Sequence, residues 1–218
     1  MKKVLQILYY PLIVAGILLT ATEFFSLIVV FFKHMNQYLG FVIGILTYVL
    51  IRNLKFIKQN EDFLQTFSHE LTHTIVGLCF GHKIHSFKVA DQGGGAIHHS
   101  GNRTGEFLIA LAPYTMPIFT IAFLLLRLIG ADSMVEVFNF FIGLTFTFHV
   151  FCYFRDIHPN QPDLKSQGLF KSYSFILFSQ LLWISIILVC VWKGLFGGIG
   201  YLCEEYWHLI KATFAIIF

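Results

Sequence analysis

Ser68-His69-Glu70-Leu71-Thr72-His73 sets an H-E-x-x-H pattern inside an otherwise apolar stretch from Phe63 to Phe80. Residues four apart in a helix are separated by about 400° of rotation, so His69 and His73 leave one face about a turn apart. Two imidazoles so placed can hold one Zn²⁺ through ring nitrogens at ~2.0–2.1 Å. Glu70 lies beside them on the helical wheel, where it can take a proton from a zinc-bound water and hand it to a leaving amine. Two imidazoles and a carboxylate are expensive in an apolar segment unless the protein uses them, so the placement raises the weight of the motif.

A hydrolytic zinc needs a third protein ligand and an open position for water. Downstream candidates are His149, Asp156, His158 and Asp163. Asp163 follows Pro162 and opens the run into a long apolar segment, a position where a carboxylate is held in a fixed direction at a helix start. It is the first choice and Asp156 the reserve. His149, five residues inside an apolar run, reads as a ligand, a group facing substrate, or a core histidine bonded to a backbone carbonyl.

The elements that must carry these residues belong to a membrane protein. Hydrophobic residues make up 56% of the 218-residue chain, charged residues 12%, and 26 positions are Phe, against about 25% charged for a soluble domain. The net charge of +3 reflects few acids rather than a basic run, so no patch suits nucleic acid or anionic lipid. Cys79, Cys152, Cys190 and Cys203 show no metal or disulfide spacing and read as small hydrophobes. Met1-Lys2-Lys3 precedes an apolar run that continues to Phe32 without a small-residue cleavage pattern, so it reads as a retained helix.

With ~20 apolar residues per span as the yardstick, the chain reads as an all-α polytopic protein of about six transmembrane helices with a small β-hairpin or glycine-rich reentrant loop. The expected spans are Val4 to Phe32, Leu39 to Ile51, Phe63 to Phe80, Gly105 to Ile129, Met134 to Phe154 and Leu169 to Trp192. Asn60, Glu61 and Asp62 are expected to start the third span and Gly81 to stop it. Alternation from Lys83 to Val89, then Gly93-Gly94-Gly95 and a second short run, suggests the hairpin. The tail from Lys193 reads as an interfacial helix or a short seventh span. The whole, residues 1–218, is expected to be one domain with its core over about 60–180.

Orientation follows the Lys/Arg bias between loops. With six spans, Lys2, Lys3, Arg52, Lys55, Lys58, Arg127 and Lys193 oppose Lys33, Lys83, Lys88, Arg103, Arg155, Lys165 and Lys171, an even division. The same arrangement puts the glycine-rich loop and the Asp163 loop on one side.

The chain resembles the site-2 protease family of intramembrane zinc metalloproteases, in particular its compact bacterial members. The resemblance rests on Ser68-His69-Glu70-Leu71-Thr72-His73, on Gly93-Gly94-Gly95, on a following span with Leu111-Ala112-Pro113-Tyr114, and on a late Pro162-Asp163-Leu164. It implies one Zn²⁺ per chain held by His69, His73 and Asp163, with Glu70 as base, in a multi-pass protein of a bacterial cell membrane. The implied substrate is a segment of a membrane protein, held extended in or beside the bilayer. The usual family pattern places Asp-Gly after asparagine and proline; here Leu164 follows the acid. An unpaired strand edge near the metal could hold such a segment by β-augmentation. Gly93, Gly94 and Gly95 would permit the close backbone approach, while Asn102 could bond a substrate carbonyl and His149 could sit in the outer shell. His82, His85, His98 and His99 are further possible ligands near the loop.

Two other readings use the same residues. Glu70-x-x-His73 and Glu205-Tyr206-Trp207-His208, with Glu23 and either Glu106 or Glu136, fall in the order of a di-iron carboxylate oxidase or hydroxylase. A non-catalytic membrane scaffold, sensor or transporter component could also retain a metal site. Oligomeric state leaves no signature in the sequence.

Overall fold

The computed structural model describes residues 2–89, 95–100 and 105–217. Its elements run α1 (Lys2–Lys33), a 3-10 turn (Met35–Tyr38), α2 (Leu39–Ile51), α3 (Lys55–Cys79), β1 (Lys83–Val89), β2 (Gly95–Ser100), α4 (Glu106–Thr115), α5 (Ile118–Ile129), α6 (Val135–Asp156), α7 (Pro162–Gln167), α8 (Leu169–Lys193) and α9 (Leu195–Ile217). Three stretches are long and apolar enough to cross a membrane: Leu8–Lys33, Asp132–Asp156 and Leu169–Lys193. A fourth is reached only if α4 and α5 count as one span. The protein is therefore a helical membrane protein, and the described helices that pass by length and composition are fewer than the six expected.

The difference lies in three places. Gly105 to Ile129 is expected as one span, but α4 and α5 meet at 81°. Pro117 explains the break: the residue before a proline is pushed out of the helical region, and Met116 is extended at φ −116°, ψ 112°. α2 is only 13 residues long. α3 starts at Lys55 rather than Phe63, so Asn60, Glu61 and Asp62 lie within the helix and do not cap it. Their acids serve elsewhere: Glu61 accepts from Arg52 at 3.1 Å and Asp62 from Arg155 at 2.5 Å.

α3 ends where the sequence indicates. Gly81 has φ +76°, and the bonds His82 N→Gly77 O and Gly81 N→Leu78 O, both 2.9 Å, satisfy the last carbonyls in the pattern that a left-handed glycine permits. β1 and β2 form one antiparallel hairpin with an irregularity at His85, and Phe87 meets Phe67 of α3 edge to face at 5.9 Å.

α1 and α8 run parallel, with Tyr9 Oη donating to Lys171 O at 3.0 Å near one end and His34 stacked on Trp192 at 5.0 Å at the other. α2 and α6 are also parallel and pack through glycines. A Cβ on Gly44 would lie 2.0 Å from Phe140 O, and one on Gly143 2.0 Å from Phe41 O. Gly40-x-x-x-Gly44 is the small-xxx-small pattern that lets membrane helices approach backbone to backbone. The largest core cluster, with Leu27, Tyr38, Phe41, Ile142 and Ile187, joins α1, α2, α6 and α8.

These contacts also sort the cations. Arg52 lies over the Phe151 ring at 3.8 Å and pairs with Glu61, and Arg155 pairs with Asp62. The ends of α1, α2, α3, α6 and α8 that bear Lys2, Lys3, Arg52, Lys55, Lys58, Arg155 and Lys171 thus gather at one end of the bundle, with Lys165 of α7. Lys33, Arg127 and Lys193 mark the other; Arg127 donates to Cys190 O at 2.6 Å near the end of α8. The even division expected from six spans does not hold, because it requires α3 to carry the chain across. Instead both ends of α3 are tied to the cation-rich end: its start to Arg155, and its last turn, through Phe80, to Gly105 beside Phe107 and Lys171.

Candidate metal centre

α3 runs antiparallel to α4, so His69 lies beside Tyr114 (ring centroids 5.4 Å apart) and His73 beside Ile109. α7, fixed by buried Leu164 against Leu111, Tyr114 and Ile176, brings Asp163 to the same place. His69 Nε2 and His73 Nε2 are 3.2 Å apart, and Asp163 Oδ2 lies 3.4 Å from the first and 3.5 Å from the second. Among the described residues, His69, His73 and Asp163 are the group of three that could hold a metal ion.

What stands behind each ring decides what faces the centre. His73 Nδ1 is 2.7 Å from Ile109 O. A carbonyl only accepts, so Nδ1 carries the proton and Nε2 presents a lone pair. His69 Nδ1 is 3.5 Å from Asp156 Oδ2, an acceptor that favours the same tautomer. Asp163 supplies a carboxylate oxygen, ionised at neutral pH as aspartate ordinarily is. Two lone pairs and a charged oxygen thus converge. Tetrahedral ligands at ~2.0–2.1 Å from a zinc ion are separated by ~3.3–3.4 Å, and the three observed edges bracket that value. The donor set fits zinc.

Asp156, the reserve ligand, is not at that point. It sits behind His69 on the diverging ring nitrogen, and its other oxygen is 3.5 Å from Arg155 Nε, the arrangement of an outer carboxylate that orients a ligating histidine. His158 is used locally, its Nδ1 accepting from Asn160 N at 3.2 Å. His149 is buried and away from the group: its Nε2 is 3.2 Å from Gln180 Nε2, which also donates to Tyr114 O at 2.6 Å. It therefore supports the backbone from which Tyr114 Oη reaches Asp163 Oδ2 at 3.3 Å. Tyr114 and Gln180 are site residues that spacing does not reveal. Glu70 is half-buried on the same stretch of α3. Gly95 pairs with Val89 in the hairpin; Gly93, Gly94 and Asn102, and the side chains of His98 and His99, lie outside the described residues. The di-iron set is not gathered among the described residues, and Glu136 instead accepts from Gly40 N at 2.9 Å.

Ile109 is free to serve His73 for a reason written in the sequence. Its intrahelical donor would be the N–H of the residue four positions on, and that residue is Pro113, which has none.

Against known families, the model described as Peptidase M50B-like matches residues 38–218. The chain belongs to this family. The match takes in α2 to α9, and with them every residue of the centre. Family membership makes the chain a peptidase of site-2 protease type in general terms. Searches of curated proteins and of solved structures return no match.

Proposed function

We propose that this Peptidase M50B-like protein is a zinc-dependent endopeptidase that cleaves segments of membrane proteins within or beside the bilayer. The observation that carries the reading is the convergence of His69 Nε2, His73 Nε2 and Asp163 Oδ2 at 3.2–3.5 Å, next to Glu70 in an H-E-x-x-H helix. One Zn²⁺ held by these three atoms would supply a water of pKa ~7 and polarise a peptide carbonyl. Glu70 takes the proton from the attacking water and delivers it to the leaving amine, so the peptide bond is replaced by a carboxylate and an amine. Tyr114 Oη, already at the Asp163 oxygen, fixes that carboxylate.

A helical substrate hides its peptide bonds, so the segment must be drawn out before it reaches Glu70. The hairpin on α3 offers a strand edge for that purpose. The cation-rich end carries the centre, and the positive-inside rule places this end on the cytoplasmic side. The proposed substrate is a membrane-protein segment, and the proposed setting a bacterial cell membrane.

The test is Glu70→Gln. The variant is expected to retain one zinc per chain by elemental analysis and to lose cleavage of a membrane-anchored reporter by at least ~10²-fold, the lower range of a lost acid–base group. A variant that cleaves at the wild-type rate removes Glu70 from the chemistry; purified wild-type protein without zinc removes the metal reading.

A further inference from the structure

We infer that Pro113 is a positioning residue for the metal centre: by leaving Ile109 O without an intrahelical donor, it reserves that carbonyl for His73 Nδ1. The inference rests on the zinc reading of the centre and adds what holds its second histidine. Three observations meet here. Pro113 lies inside α4, with helix on both sides of it from Glu106 to Thr115. Ile109 is four residues earlier, where a proline both withholds its N–H and pushes the carbonyl away from the helix axis. The 2.7 Å contact from His73 Nδ1 is made to that same oxygen.

A proline in a helix interior is costly, and an α4 built for stability would carry alanine there. In return, the buried carbonyl finds its partner on another helix, as a buried acceptor must. The contact fixes two properties of His73 at once. The ring plane is set by the direction of the carbonyl, and the proton is kept on Nδ1, which leaves Nε2 as the atom facing His69 and Asp163. With alanine at 113, a backbone N–H claims Ile109 O, the carbonyl swings back toward the helix axis, and His73 loses both constraints. Ile109 is buried beside Val76 and Ala112, so water does not easily take the place of the lost acceptor.

The experiment is Pro113→Ala in the full-length protein in detergent, read by zinc affinity in chelator competition, by the visible absorption of the Co²⁺-loaded form, and by thermal unfolding of the metal-free form. The expected result is a fall in zinc affinity of about 10-fold, the lower end of what losing an outer partner of a metal-ligating histidine costs. The Co²⁺ bands shift, and the unfolding temperature of the metal-free form stays level or rises, because α4 gains a hydrogen bond. A merely structural proline would show the opposite pattern, with lower stability, and that result overturns the inference. So does a fall in affinity of less than threefold, or an unchanged Co²⁺ spectrum, in a variant whose wild-type parent binds zinc. Wild-type protein that binds no zinc, like His73→Ala protein that binds it as tightly as wild type, overturns the reading of the centre itself.

Discussion

The α2–α6 crossing yields a prediction whose size follows from two distances. Gly44→Ala would put a Cβ 2.0 Å from Phe140 O and 2.8 Å from Leu144 N. Both are backbone atoms, so no side-chain rotation relieves the overlap. An ordinary contact to a carbon needs more than 3 Å, so the helices must separate by about 1 Å, and a gap of that size forfeits a quarter to a half of each dispersion contact along the seam. The expected loss is ~1–3 kcal/mol, the usual range for overpacking a close-packed interface. Gly143→Ala meets Phe41 O at the same 2.0 Å from the opposite helix and should cost as much. One separation accommodates both methyl groups, so the double variant should cost little more than the worse single one, a departure from additivity that two independent sites would not show. Unfolding of the purified protein in detergent measures all three. Gly200→Ala is the control: a Cβ there meets nothing within 4 Å, and a helical glycine replaced by alanine should gain up to ~1 kcal/mol. Single variants within 0.5 kcal/mol of wild type, or a fully additive double variant, would refute the close-approach argument.

Asp156→Asn keeps an acceptor behind His69 but removes its charge, so zinc affinity in chelator competition should fall by ~10-fold, and Asp156→Ala by up to ~100-fold; equal affinities would show that this carboxylate does not hold the ring. Zinc removal should destabilise the protein, because only the folded chain brings His69, His73 and Asp163 together. Adding zinc at 100 times its Kd should restore ~2.7 kcal/mol, read as a concentration-dependent rise in unfolding temperature that Asp163→Ala abolishes.

Most of the centre is legible in the chain because its first parts are local. His69, Glu70 and His73 are fixed by helical periodicity alone, and Gly81 ends their helix because a left-handed turn needs a residue without a Cβ. α1, α6 and α8 are legible too, since a long apolar run in a membrane has few conformations open to it. Pro113 carried a signal that composition hides: read four residues back, it names the carbonyl left open on α4.

What only the tertiary structure decided are relations between distant segments. Asp163 and Asp156 are both acids near the end of α6, and spacing cannot say that one reaches Nε2 of the imidazole pair while the other sits behind His69 at Nδ1. That choice depends on how α7 docks through Leu164 and so brings up Asp163, 94 residues from His69 along the chain. The path of α3 is likewise set from outside: its charged first half pairs with Arg52 and Arg155, and its last turn packs against Gly105. Hydropathy measures what a segment tolerates, whereas its placement is settled by the partners it meets.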